Sequence, residues 1–238
     1  MFQDDFKKHI EMFATSPFLF IGSGFSRRYI DLPTWEDLLI EICNRLSIPR
    51  PYDYYRSNAS SVLPEIANLI GLDFNDIWWS SSLFQNSRDE FQKEAKTKMS
   101  PLKYEICKRI SENSILVSNP TLDNEIRLLK KINIDGIITT NWDNLLESLF
   151  PDFKKYIGQE ELIFSDLYAI GEIYKIHGGI SRPNSLVLTT DDYIDYQERN
   201  SYLAAKLLTI FMENPIIFIG YSLDDKNIQN ILRSIIKC

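Results

Sequence analysis

Phe18-Leu19-Phe20-Ile21-Gly22-Ser23-Gly24-Phe25-Ser26 runs four bulky apolar residues straight into a glycine pair. With no polar residue among the four, neither face of the run suits water, which is the pattern of a short strand buried in a parallel sheet. The glycines permit a tight turn and let backbone amides come close to an anion. A third glycine at position 27 would complete a dinucleotide fingerprint, but Arg27 stands there, so the match is partial. On its own the turn is as readily structural as phosphate-binding.

Upstream, Phe6, His9, Ile10 and Phe13 share one face of an amphipathic helix that Pro17 ends, with His9 read as structural. Downstream, Thr34 can cap a helix whose apolar face is Trp35, Leu38, Leu39, Ile42 and Leu46, with Asp37 making a weak variant of a capping box. From residue 49 to about 130 there is no convincing strand. Apolar positions recur at helical spacing, interrupted by Pro64, Gly71, Pro101 and Pro120, and aromatics cluster from Tyr52 to Phe91. This reads as a helical insertion whose aromatics form their own core, or alternatively one wall of a ligand cleft. Strand signals return at Ile134 to Thr139, Ile173 to Ile176, Ser185 to Leu188 and Ile216 to Ile219. Helical runs lie between and after them, at Trp142 to Phe150, Asp191 to Gln197, Tyr202 to Met212 and Lys226 to Ile236. Alternation of short apolar strands with helices predicts an α/β fold, a doubly wound parallel sheet covered on both faces. The expected organisation is one domain over residues 1–238, with residues 1–48 and 131–238 forming the sheet part and 49–130 the helical subdomain.

Composition narrows the function. Among 238 residues, 26 basic against 33 acidic side chains leave a net charge of −7. Such a balance lacks the basic stripe that nucleic-acid binding requires, so no direct nucleic-acid partner is expected. Cys43, Cys107 and Cys238 lie far apart and form no metal-ligand spacing, so no zinc and no disulfide framework are expected. The start, Met1-Phe2-Gln3-Asp4-Asp5, is not that of a signal peptide, and no apolar run approaches the roughly 18 residues of a membrane span. These features predict a cytoplasmic protein without a membrane partner.

Ligands of open parallel sheets collect at the carboxyl ends of the strands, and each unusual polar motif falls at such an end. After the glycine turn comes Thr139-Thr140-Asn141-Trp142-Asp143. Asn141 and Asp143 can simply cap the helix that follows. Next is Lys175-Ile176-His177-Gly178-Gly179, whose histidine suits a general base because its pKa lies near neutrality. Last is Phe218-Ile219-Gly220-Tyr221-Ser222-Leu223-Asp224-Asp225, again a glycine and serine ahead of a helix. Trp35, closing the Leu32-Pro33-Thr34-Trp35 segment, is read as a packing residue.

Taken together and in this order, GSGFS, TTNWD, IHG and FIGYS resemble the sirtuin-like family from about Phe18 to the end of the chain. The resemblance implies a Rossmann-like sheet with a helical insertion. Deacylating sirtuins follow their His-Gly pair with a four-cysteine zinc module, which this chain lacks. The pattern is closer to the sirtuin-like effector domains of bacterial anti-phage systems, which hydrolyse NAD. That implies an NAD+ glycohydrolase, with NAD+ as substrate, nicotinamide and ADP-ribose as products and no zinc. By resemblance Asn141, Asp143 and His177 would be catalytic. Asn141 would hold the nicotinamide ribose or the attacking water, Asp143 would meet the carboxamide or developing positive charge, and His177 would act as base. Gly22, Ser23, Gly24 and Ser26 would cradle the pyrophosphate with Arg27 or Arg28 as charge partner, and Thr140 would join the cofactor contacts. Gly220, Tyr221 and Ser222 would border the adenosine half. The same resemblance implies a homo-oligomer, or a sensor domain or partner protein that controls activity. The alternatives are a non-catalytic sensor of NAD or ADP-ribose and, disfavoured by the missing cysteines, an NAD-dependent deacylase.

Overall fold

The structure is a computed structural model and describes residues 2–163 and 171–221. In chain order its elements are α1 (Phe2–Glu11), β1 (Phe18–Ile21), α2 (Ser23–Ile30), α3 (Trp35–Arg45), α4 (Tyr52–Asn58), α5 (Leu63–Ser80), α6 (Gln85–Phe91), α7 (Ser100–Asn113) and α8 (Pro120–Leu129). There follow β2 (Gly136–Thr139), α9 (Leu145–Leu149), β3 (Lys154–Ile157), α10 (Gly158–Ile163), β4 (Glu172–Lys175), α11 (Thr190–Arg199), α12 (Ser201–Glu213) and β5 (Ile216–Ile219). The five strands make one parallel sheet in the order β3-β4-β2-β1-β5.

Because successive side chains of a strand point to opposite faces, an all-apolar strand feeds two cores. Leu19, Ile21, Ile137 and Ile173 pack with Phe25, Tyr29 and Ile30 of α2 and Leu145, Leu146 and Leu149 of α9. Phe18, Phe20, Ile138 and Tyr174 pack on the other face with Leu162 of α10 and Leu203, Leu207 and Ile210 of α12. Helices on both faces are the expected doubly wound arrangement, and β1, paired on both sides between β2 and β5, is buried throughout. A third core joins α3, α4, α5 and α7 and takes in Leu186 and Leu188 from the far end of the chain. Among the aromatics of residues 49–130, Tyr52, Tyr55, Phe74, Trp78 and Phe84 are buried in it.

Several elements differ from the sequence reading. Ser185 to Leu188 is not a strand: a 3₁₀ turn over Pro183–Ser185 leads into an irregular segment whose leucines enter the helical core. β3 was not predicted, because Lys154 and Lys155 break the apolar run, which an edge strand paired on one side tolerates. Pro64, Pro101 and Pro120 do not interrupt helices but stand in the first turns of α5, α7 and α8, where a missing N–H costs nothing. Gly71 does not break α5 either. It faces Met99, whose sulfur would lie 2.5 Å from a Cβ at that position. The helix read as starting at Trp142 begins only at Leu145, for a reason that lies in the site. The run Lys226 to Ile236 lies outside the described residues.

Candidate active site

The glycine turn is tighter than its sequence suggests, because α2 begins at Ser23 with extended Gly22 as its cap. Gly22 N–H donates to Ile219 C=O and Gly24 N–H to Gly220 C=O, both at 2.9 Å. Those amides, expected to face a phosphate, are engaged by the end of β5. A Cβ on Gly22 would sit 2.6 Å from the Gly220 oxygen and 2.6 Å from the Tyr221 ring, so glycine here is demanded by close approach. Gly220 itself adopts φ +69°, open to glycine at little cost. Ser23 remains exposed at the start of α2.

From the end of β2, Thr139 Oγ1 donates to Ile21 C=O at 2.8 Å and accepts Asn141 N–H at 3.0 Å. Asn141 Nδ2 donates to Gly22 C=O at 3.0 Å and to Ser26 Oγ at 2.9 Å. A carbonyl can only accept, so the orientation of the amide is determined. Ser26 Oγ donates in turn to Asp143 Oδ2 at 2.7 Å, and Asp143 Oδ1 accepts Leu145 N–H at 3.0 Å. Asn141 therefore does not cap α9, whereas Asp143 does bond its first turn. Lys175, 1% exposed, donates to the Asp143 carbonyl and pairs with Glu147 at 3.0 Å, and Ile180 N–H holds the Trp142 carbonyl at 2.9 Å. These bonds keep residues 141–144 out of helix and delay the start of α9.

His177 follows β4 and is buried, with the rings of Tyr193 and Tyr196 edge-on at 5.6 and 5.2 Å between centroids. Burial lowers its pKa from 6.5 to about 4, so the imidazole is neutral at physiological pH. Its carbonyl accepts Val187 N–H at 3.0 Å, tying the misread segment to the site. Gly178 adopts φ +88°, and a Cβ there would lie 2.2 Å from the Ser185 carbonyl oxygen.

Asn141, Asp143 and His177 share one cavity of about 180 Å³, lined also by Ser23, Ser26, Thr140, Trp35, Trp142 and Tyr193. Thr140 meets Tyr221 through their hydroxyls at 2.5 Å. Arg27 stands apart on the exposed side of α2, in a groove of about 650 Å³ that meets the cavity at Leu32 and Pro33. Ser222 lies outside the described residues. Trp35, read as packing, serves both purposes, since it joins the helical core and lines the cavity. The Nε1 atoms of Trp35 and Trp142 are buried without a hydrogen-bond partner among the described residues. Sequence reasoning missed Lys175 as a support and Tyr193 as a lining residue. A lysine closing a buried strand was a signal for the first, but nothing in α11 marked the second.

Chemically, the cavity pairs a carboxylate with a neutral proton acceptor and an oriented amide, within aromatic walls. Among the described residues no group of three His, Cys, Asp or Glu side chains is placed to hold a metal, and no helix is long and apolar enough to cross a membrane. Cys43 and Cys107 are buried free thiols, each pushed up to about 12 by desolvation.

Known proteins are similar to about half of the chain. The chain is 31% identical over 118 residues, 48% of its length, to an NAD(+) hydrolase ThsA of Cytobacillus dafuensis, covering 24% of that protein. It is 33% identical over 135 residues, 52% of its length, to one of Enterococcus faecium, covering 28%. It is 32% identical over 107 residues, 42% of its length, to defense-associated sirtuin 2 of Bacillus subtilis, covering 10%. The chain thus spans about a quarter or less of these relatives. The family described as SIR2-like domain matches residues 135–238. That range holds Asn141, Asp143, His177 and Gly220.

Proposed function

We propose that this chain cleaves the N-glycosidic bond of NAD+, releasing nicotinamide and ADP-ribose. The observation that carries this reading is the convergence of three buried side chains, Asn141, Asp143 and His177, on one cavity at the carboxyl ends of β2 and β4. Its support from outside is the similarity to proteins named NAD(+) hydrolase.

The bond to be broken joins ribose to a positively charged nicotinamide nitrogen, so the leaving group departs neutral without a strong acid. The transition state carries positive charge on the ribose, as in other glycoside cleavages. Asp143, buried and held by Ser26 and Leu145, supplies a fixed negative charge that is already oriented before reaction, where such a charge acts most strongly. Asn141 has both Nδ2 protons committed to Gly22 and Ser26, which leaves its Oδ1 to orient a ribose hydroxyl or the attacking water. His177, neutral through burial, accepts the proton given up by that hydroxyl or water. In this reading Ser23, Ser26, Thr140 and Tyr221 border the rest of the dinucleotide together with Gly22, Gly24 and Gly220, and Arg27 draws its diphosphate towards the groove.

The activity belongs, in our reading, to anti-phage defence, where loss of NAD+ halts the infected cell. Its control would come from self-assembly, a sensor domain or a partner protein. The name defense-associated sirtuin 2, borne by one relative, supports this placement. The test is nicotinamide release from NAD+ by the wild type, Asn141→Ala and His177→Ala, each with the natural partner where there is one. Each substitution should slow cleavage by about 10²–10⁴-fold. Unchanged rates would remove these residues from the mechanism, and saturable binding without turnover would make the chain a sensor.

A further inference from the structure

The cavity holds chemistry that bond cleavage does not use. Trp35, Trp142 and Tyr193 form a continuous aromatic wall, with Trp35 6.3 Å from Trp142 at 80° and 6.3 Å from Tyr193 at 30° between ring planes. No lysine or arginine lines this cavity among the described residues, while the carboxylate of Asp143 does. Lys175 lies behind the loop with its charge paired to Glu147. Among the described residues, a lining of three aromatic side chains with one carboxylate and no cationic side chain favours a flat cation, because ring quadrupoles attract positive charge. At about 180 Å³ the space suits a single ring rather than a whole dinucleotide, since drug-sized ligands occupy about 300–1,000 Å³.

Tyr193 is held firmly in this wall. Asp192, its neighbour at the start of α11, accepts Leu188 N–H at 3.0 Å and Thr189 N–H at 2.8 Å through Oδ2 and forms a capping box with Thr189. Its Oδ1 takes the ammonium of Lys103, 6% exposed on α7, at 2.5 Å. The first turn of α11 is thus anchored both to its own backbone and to the helical core. An aromatic ring on so fixed a turn contributes contact area at little entropic cost.

We infer that Tyr193, with Trp35 and Trp142, makes the site selective for the oxidised dinucleotide, whose nicotinamide ring is a flat cation, over the reduced one, whose ring is neutral and puckers readily. The inference rests on the NAD+-cleaving reading and names the part of the substrate that this wall recognises. Tyr193 is then a specificity residue that touches substrate, acting in binding rather than in bond cleavage.

The test measures binding of NAD+ and of NADH by calorimetry to the Asn141→Ala protein, in which NAD+ survives the titration. Tyr193→Phe and Tyr193→Leu are compared in that background, and melting temperatures report folding. The parent should bind NAD+ more tightly than NADH, and Tyr193→Phe should keep the preference. Tyr193→Leu should lose roughly 3- to 30-fold of it through weaker NAD+ binding, with NADH little affected. In the otherwise wild-type protein, Tyr193→Leu should raise KM for NAD+, and Tyr193→Phe should leave KM near the wild-type value. Trp35→Leu should act in the same direction and serves if Tyr193→Leu does not fold. An undiminished preference in the leucine variants, or equal binding of the two dinucleotides by the parent, overturns the inference while leaving NAD+ cleavage standing. Failure of the wild type to bind or cleave NAD+ overturns both.

Discussion

Replacing His177 with glutamine should make the folded protein less sensitive to mild acid. In the native state burial holds the imidazole at about 4, against 6.5 for a free one. Between those values the unfolded chain binds a proton that the native protein refuses, so stability falls as pH drops through this window and is unaffected above it. The full difference corresponds to about 3 kcal/mol, of which about 2 kcal/mol is reached by pH 5. Glutamine removes the titration and keeps a polar group of similar reach. Urea unfolding followed by tryptophan fluorescence at pH 7.5, 6 and 5 gives the stability of both proteins, and carboxylates common to the two cancel in the difference. At pH 7.5 the wild type should be the more stable, since its histidine fits the cavity. By pH 5 that advantage should shrink or reverse by about 2 kcal/mol. A difference that stays the same from pH 7.5 to 5 would refute the argument. It would mean that the native imidazole takes up its proton at an ordinary pH, and so is hydrated or paired rather than buried against Tyr193 and Tyr196.

Two further substitutions probe the frame of the site. Gly22→Ala forces a methyl to within 2.6 Å of the Gly220 carbonyl oxygen, an atom of a backbone that cannot yield alone. It should cost about 1–3 kcal/mol in thermal or urea unfolding, and a neutral result would show that β1 and β5 do not approach so closely. Lys175→Met leaves Glu147 and the Asp143 carbonyl without their buried donor. A loss of about 3–5 kcal/mol is expected, much of it recovered in the Lys175→Met, Glu147→Leu double variant, where no lone charge remains. Equal stability of the two variants in urea would show that the pair is not coupled.

How far the sequence could be read depended on how local the cause was. Phe18 to Ile21 and Ile216 to Ile219 were legible to the residue because apolarity on both faces has few other uses. Thr34 was legible as a cap, since it accepts Asp37 N–H within its own helix turn. Ser185 to Leu188 misled because the same alternation serves a strand or an extended segment buried against helices. Only the partner surface distinguishes them, and it lies more than 70 residues away at Ile110 and its neighbours on α7. Asn141 looked like a helix cap because its competing partners, Gly22 and Ser26, are 119 and 115 residues distant. At the site itself, Asn141, Asp143 and His177 were visible as polar residues at strand ends. Tyr193 was not, because a tyrosine in an amphipathic helix is ordinary until its neighbours are known.

By itself, then, the amino-acid sequence determined the class of fold, the order of its motifs and the end of the sheet where the candidate site lies. Those follow from periodicity and from glycine, proline and capping preferences, which act over a few residues. Only the tertiary structure decided which groups meet. It engaged the Gly22 and Gly24 amides with the end of β5, linked Asn141 through Ser26 to Asp143, set Lys175 beneath their loop and brought Tyr193 over His177. Each of these contacts joins segments far apart in the chain, and such contacts depend on how the sheet and its covering helices pack rather than on any local preference.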